Sequence, residues 1–113
     1  MAETQQTVIR VHSAERYQTL QGFGASGAWW AQAVGGWPNE PRQRVIDLLF
    51  NATSGIGLTI FRYNVGGGEQ GMPDPWRNSE SVGHAGGYDW TRDANARRVL
   101  REAHAAGARD VVI

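Results

Sequence analysis

Gly57-Leu58-Thr59-Ile60-Phe61-Arg62-Tyr63-Asn64-Val65 is the stretch on which the reading of the whole chain turns. Leu58, Ile60, Phe61, Tyr63 and Val65 crowd apolar side chains onto both sides of an extended backbone, the pattern of a strand buried on both faces in a parallel sheet. Upstream, Asn39-Glu40-Pro41 has the chemistry of a helix start, and Val45, Leu48, Leu49 and Ala52 fall at i, i+3, i+4 and i+7, with Ser54-Gly55 as the stop. Downstream, Asp89 and Thr91 are cap candidates for a second helix with an apolar stripe at Ala96, Val99, Leu100, Ala103 and Ala106 and Gly107 at its end. Arg109 to Ile113 begins another strand. Tyr17 to Phe23 leads into an earlier one, so the order is β-α-β-α-β, the signature of a parallel sheet with crossover helices. Thr7 to His12 is a further short, strand-like stretch. The run Gly66 to Asp89 has little periodicity, and a loop of that length in an α/β domain is usually functional.

Composition narrows the partners. The 113 residues carry 11 Arg and no Lys against 11 acidic residues, for zero formal charge, with no basic cluster that would suit nucleic acid or an anionic membrane. A neutral partner fits better. There is no Cys, which removes a disulfide framework, a thiolate metal site and a cysteine nucleophile. The scattered His12, His84 and His104 do not suggest a metal site, and no cofactor is expected. No apolar run approaches the ~20 residues of a membrane span, and Met1 to Gln6 has no signal-peptide core.

Gly22, Gly24 and Gly27 spell G-x-G-x-x-G after a strand-like segment, with Asp47 twenty positions beyond, so a dinucleotide site is one reading. It requires a helix directly after Gly27, whereas Gly35-Gly36 and Trp37-Pro38 break any helix before three turns. Tight backbone approach is the simpler use of these glycines.

Arg62 ends the apolar strand and is followed by Asn64 and Gly66-Gly67-Gly68. The C-terminal ends of parallel strands form the active-site face, which makes Arg62 and Asn64 candidate substrate contacts. A structural ion pair at the same place is the competing role for Arg62. Trp29, Trp30, Trp37, Trp76 and Trp90, with Tyr63 and Tyr88, lie mostly in segments that follow strands. Aromatic faces stack on the C–H faces of sugars, and Trp29 and Trp30 are the leading candidates for such contacts. Glu69, Asp74, Glu80 and Asp89 all sit in the long loop, and a glycosidase needs its two carboxyl groups on rigid supports, so none is assigned a catalytic role.

Gln21-Gly22-Phe23-Gly24-Ala25-Ser26-Gly27-Ala28-Trp29-Trp30-Ala31-Gln32 and Gly55-Ile56-Gly57-Leu58-Thr59-Ile60-Phe61-Arg62-Tyr63-Asn64-Val65-Gly66-Gly67-Gly68 together resemble the first and second barrel strands of glycoside hydrolase family 30. The flavour is closest to that family's endo-β-1,6-galactanase branch. The resemblance implies the N-terminal portion of an incomplete (β/α)8 TIM barrel over residues 17–113, with residues 1–16 contributing a strand to a side β-sandwich. It implies retaining hydrolysis of a β-linked oligo- or polysaccharide in an extracellular setting. The acid/base and nucleophile Glu are expected beyond Ile113, and the remainder of the barrel is then needed for a stable fold. By position Arg62 matches the arginine that the family places near its catalytic carboxylates. A non-catalytic carbohydrate-binding module is the rival from another class, although such modules are commonly all-β.

Overall fold

The computed structural model describes residues 7–68 and 80–113. Its centre is a parallel sheet of β1 (Gly24–Ser26), β2 (Ile60–Arg62) and β5 (Asp110–Val112), in the spatial order β1-β2-β5. Between β1 and β2 run α1 (Trp30–Gly35) and α2 (Asn39–Phe50). A small antiparallel hairpin, β3 (Gly83–His84) with β4 (Gly87–Tyr88), and α3 (Ala94–Ala106) connect β2 to β5. This is the expected β-α-β-α-β frame, with two additions: the short α1 and the hairpin inside the long loop.

Each strand lies beside its chain predecessor, so crossovers of the usual hand put every helix on one face of the sheet. Ala25, Phe61 and Val111 are in register on that face, and Phe61 is fully buried there among Phe50, Ile46, Val99 and Ala103. Edge-to-face contacts of Phe61 with Trp30 at 6.2 Å and Phe50 at 5.7 Å lock this core. The opposite face carries Gly24, Ile60 and Asp110 in one row and Ser26, Arg62 and Val112 in the next. No helix covers it among the described residues. The expectation that β2 is buried on both faces is therefore corrected: Phe61 is enclosed while Arg62 is exposed, because an unreversed strand order supplies helices to one side alone.

Gly27 stands where β1 turns toward α1, and its N–H donates to the Arg62 carbonyl at 2.8 Å. A Cβ at Gly27 would come within 2.9 Å of Phe61 Cε2, so glycine is required for the first connection to cross the second strand. That is close backbone approach, the simpler of the two uses the glycine motif allowed. The helix that follows has six residues, α1, ended by Gly35 and Gly36.

α2 buries a different stripe from the one its spacing suggested. Arg42, Ile46 and Phe50 face inward, while Leu48 is 53% exposed and Ala52 lies beyond the helix, which ends at Phe50. The reason is Arg42. Its Nε donates to Glu102 Oε1 and Oε2 of α3 at 3.0 and 2.9 Å, Nη1 to the Trp37 carbonyl at 2.7 Å, and Nη2 to Asn39 Oδ1 at 2.9 Å. With every arm of the fork satisfied, a charged residue occupies a place that a purely apolar stripe would not show.

α3 keeps its expected stripe, with Ala96, Val99 and Ala103 buried and Gly107 at φ 152° as its stop. Its start is corrected. Asp89 and Thr91 do not cap it; Asp89 Oδ1 instead accepts from the Thr91 N–H at 2.9 Å and its hydroxyl at 2.6 Å, forming a turn one step earlier. The cap position is Asp93, and a first-turn N–H, that of Ala96, is satisfied by Gln32 Oε1 of α1 at 3.1 Å. Tyr17 to Phe23 leads into β1 as expected, the Phe23 carbonyl accepting the Thr59 and Ile60 N–H groups at 2.9 and 3.1 Å, whereas Thr7 to His12 pairs with no strand among the described residues, and Val8, Ile9 and Val11 are exposed.

Candidate functional site

At the C-terminal ends of the strands, Arg62 and Ser26 stand side by side on the face that the helices leave open. Arg62 Nη1 donates to Ser26 Oγ at 3.1 Å, and Ser26 Oγ also accepts the Ala28 N–H at 3.1 Å. No acidic side chain among the described residues forms an ion pair with Arg62.

Trp29 follows immediately and has an unusual backbone. Its φ of 71° and ψ of −55°, with the Trp30 N–H bonded to the Ala28 carbonyl at 3.0 Å, define a γ-turn of the rare, strained hand. The turn leaves the indole 55% exposed. Strain of this kind persists only where the surroundings impose it, and it is found disproportionately at functional sites. Trp30 goes the other way: its ring edge packs on Phe61, and its Nε1–H donates to the Ser26 carbonyl at 2.6 Å. The structure thus separates the two tryptophans, one ring toward solvent and one into the helix-covered face.

Asn64 is half-buried and lines, with Trp29, Gln32, Phe61 and Tyr63, a cavity of about 10 Å³, room for a single water. A much larger open concavity of about 500 Å³ lies along the outer side of α2, between Asn39 and Ser54, and holds none of the candidate residues.

The residue that the sequence reading passed over is Asp93. It is 1% exposed, has a left-handed backbone at φ 50°, and its Oδ2 accepts a hydrogen bond from the Tyr63 hydroxyl, while Oδ1 has no partner among the described residues. Its own N–H donates to Glu80 Oε2 at 3.2 Å. Burial raises the Asp93 carboxyl above its ordinary range and the negative charge of Glu80 adds to this, against the Tyr63 hydrogen bond and the charge of Arg97. The Tyr63 phenol is likewise raised, first by burial and then by the carboxylate it bonds. An Asp three residues before Ala96, which opens the helical stripe, was the available signal, but it marked a cap, and this carboxylate bonds Tyr63 beside the neighbouring strand instead.

These contacts fix where the long loop returns. Gly68 and Glu80 form a parallel bridge, the Ser81 N–H bonds the Gly68 carbonyl at 2.8 Å, and Asp93 closes onto Tyr63, one residue after Arg62. Residues 80–93 are thereby tied to the strand ends. Glu69, Asp74 and Trp76 lie outside the described residues, while Glu80 is engaged at the helix start and Asp89 in its turn.

A small parallel sheet with helices on one face is consistent with part of a glycoside hydrolase fold. Comparison with known proteins specifies it further: the sequence model of O-glycosyl hydrolase family 30 matches residues 6–113, and the chain belongs to that family. It is 25% identical to an endo-β-1,6-galactanase of Hypocrea rufa over 90% of this chain and 26% of that protein. The crystal structure of a conserved exported protein from Bacteroides fragilis matches with a TM-score of 0.72 and 28% identity, covering 84% of this chain and 22% of that one. The chain therefore spans about a quarter of the length of these relatives. The parallel βα order is not that of an all-β binding module, and the six-residue α1 is too short to be the helix that a dinucleotide site requires.

Proposed function

We propose that this chain is the N-terminal part of a retaining glycoside hydrolase that cleaves β-linked polysaccharide in the manner of an endo-β-1,6-galactanase. The observation that carries the reading is Arg62, exposed on the helix-free face at the C-terminal end of β2, where a (β/α)8 barrel keeps its active site. In that barrel the open face becomes the interior, and β5 offers its free edge to the next strand. The acid/base and nucleophile Glu belong to strands beyond Ile113. Residues 1–16 supply a strand to a side β-sandwich, whose sheet would cover the exposed Val8, Ile9 and Val11.

Within this site Arg62 donates to sugar hydroxyls or to a catalytic carboxylate, Asn64 adds a neutral donor and acceptor, and the Trp29 ring takes the apolar face of a sugar. Trp30 supports the turn that carries Trp29. An extracellular setting agrees with the exported relative. The test is hydrolysis by the complete enzyme of β-1,6-galactan against β-1,3-galactan, β-glucan and xylan, with the anomer first released identified by proton NMR. Release of the β-anomer from β-1,6-galactan is expected; inversion, or activity confined to another polymer, would discard the proposed mechanism or specificity. The 113-residue chain by itself is expected to release no reducing sugar, since it lacks both catalytic carboxylates in this reading.

A further inference from the structure

The hairpin in the β2–α3 connection holds an aromatic pair that the site around Arg62 does not use. Tyr88 and Trp90 stack with ring centres 5.7 Å apart and planes 23° from parallel, yet they remain 72% and 62% exposed. Two large rings stacked on each other and still open to water form an apolar patch, the kind of surface that usually meets a ligand.

Trp90 is held in place by α3. The Arg97 guanidinium of α3 lies 5.7 Å from the Trp90 ring centre, within cation–π range, and donates to the Trp90 carbonyl through Nη2 and to the Arg92 carbonyl through Nε at 3.2 Å. On the other flank the Asp89 N–H bonds the Val82 carbonyl at 2.7 Å, and the Asp89 carboxylate closes the turn onto Thr91. A platform fixed before binding spares a ligand the cost of ordering it. Polar groups adjoin the rings in sequence: the Thr91 hydroxyl, which donates to Asp89 Oδ1 at 2.6 Å, and the Asp89 carboxylate 3.4 Å from Arg92 Nε. Through Asp93 and Tyr63 the same segment is anchored to the strand end that carries Arg62.

We propose that Tyr88 and Trp90 form a sugar-binding subsite, separate from the Arg62 centre, that stacks on a pyranose ring of the polysaccharide away from the bond to be cleaved. This rests on the reading of the chain as part of a polysaccharide hydrolase. Flat rings with polar groups adjoining them in sequence suit a neutral sugar, whose C–H face is apolar and whose edge carries hydroxyls.

The test is affinity electrophoresis of the complete enzyme in gels containing β-1,6-galactan, with xylan and β-1,3-glucan in parallel, alongside melting curves. Tyr88→Ala and Trp90→Ala should each weaken retention about 2- to 10-fold at unchanged melting temperature. Arg101→Gln, on the exposed side of α3, should retain wild-type mobility. Equal retention of the variants and the wild type, or a wild type retained by none of the polymers, would overturn the subsite. So would a fall in melting temperature with retention intact, which would show that the rings pack against protein. Retention lost in the variants of an enzyme that hydrolyses none of these polymers would leave the subsite standing and reject the hydrolase reading.

Discussion

Replacing Arg62 in the complete enzyme by Ala or by Lys separates its two conceivable roles. The guanidinium is exposed and its bond to Ser26 Oγ is a single contact at 3.1 Å, so its share of folding stability is small, about 0.5 to 1 kcal/mol. If the remaining donors meet a sugar or a catalytic carboxylate in the transition state, their loss costs about 1 to 3 kcal/mol, roughly a 5- to 150-fold fall in kcat/KM. Lys keeps the charge but gives up the planar fork, so it should recover little of that loss. The assay is kcat/KM on β-1,6-galactan measured beside the melting temperature of the same preparations. The expected outcome is a large kinetic defect in both variants with a nearly unchanged melt. Near wild-type turnover in Arg62→Lys would remove Arg62 from the site, and a large drop in melting temperature with normal residual turnover would make it a structural residue.

Gly27→Ala places a methyl group against the buried Phe61 ring and should destabilise the fold by about 1 to 3 kcal/mol, read from the denaturant midpoint. Glu102→Ala leaves Arg42 charged and nearly enclosed, with side-chain exposures of 9% and 21% for the pair, and a loss of about 3 kcal/mol is expected; a change below about 1 kcal/mol would show that Arg42 finds water instead. Tyr63 holds its proton more tightly folded than unfolded, so the stability it lends is complete below its ordinary value of 10.0 and is lost as pH rises through and beyond it. Unfolding free energies measured from about pH 9 to 11 should fall more steeply for the wild type than for Tyr63→Phe, and parallel curves would mean that the phenol is not buried as described.

How much of this was legible in the sequence depended on whether one force or two set each residue's place. α3 was readable because Ala96, Val99 and Ala103 answer to burial alone and Gly107 to backbone geometry alone. α2 was found, but its face was misjudged: Arg42 combines burial with a four-bond network, and a charged residue in the stripe hides it from a count of apolar positions. The hairpin escaped because strands of two residues are too short to show alternation, although Ala85-Gly86 between them, followed by Gly87, has turn chemistry. Of the candidate site, the placement of Arg62 at the end of β2, with Asn64 just beyond it, was legible in the sequence. The opposite fates of Trp29 and Trp30 were not, since identical neighbours are sorted only by the γ-turn between them. Asp93 lay hidden for a related reason, because its partner Tyr63 is 30 residues away and no local pattern links them.

The order of strands in the sheet is also the order in which a ribosome makes them. β1 precedes β2 and β2 precedes β5, each laid against the one before, so no strand has to wait for a later one to be inserted between it and its neighbour. At the usual pace of synthesis these 113 residues emerge over about 6 to 23 seconds, ample time for each helix to close over its strand before the next appears. Assembly of this kind proceeds by accretion at a single growing edge. A nascent chain halted after α3 should therefore already hold β1 and β2 paired around Phe61, while one halted before Ile60 should hold no sheet at all.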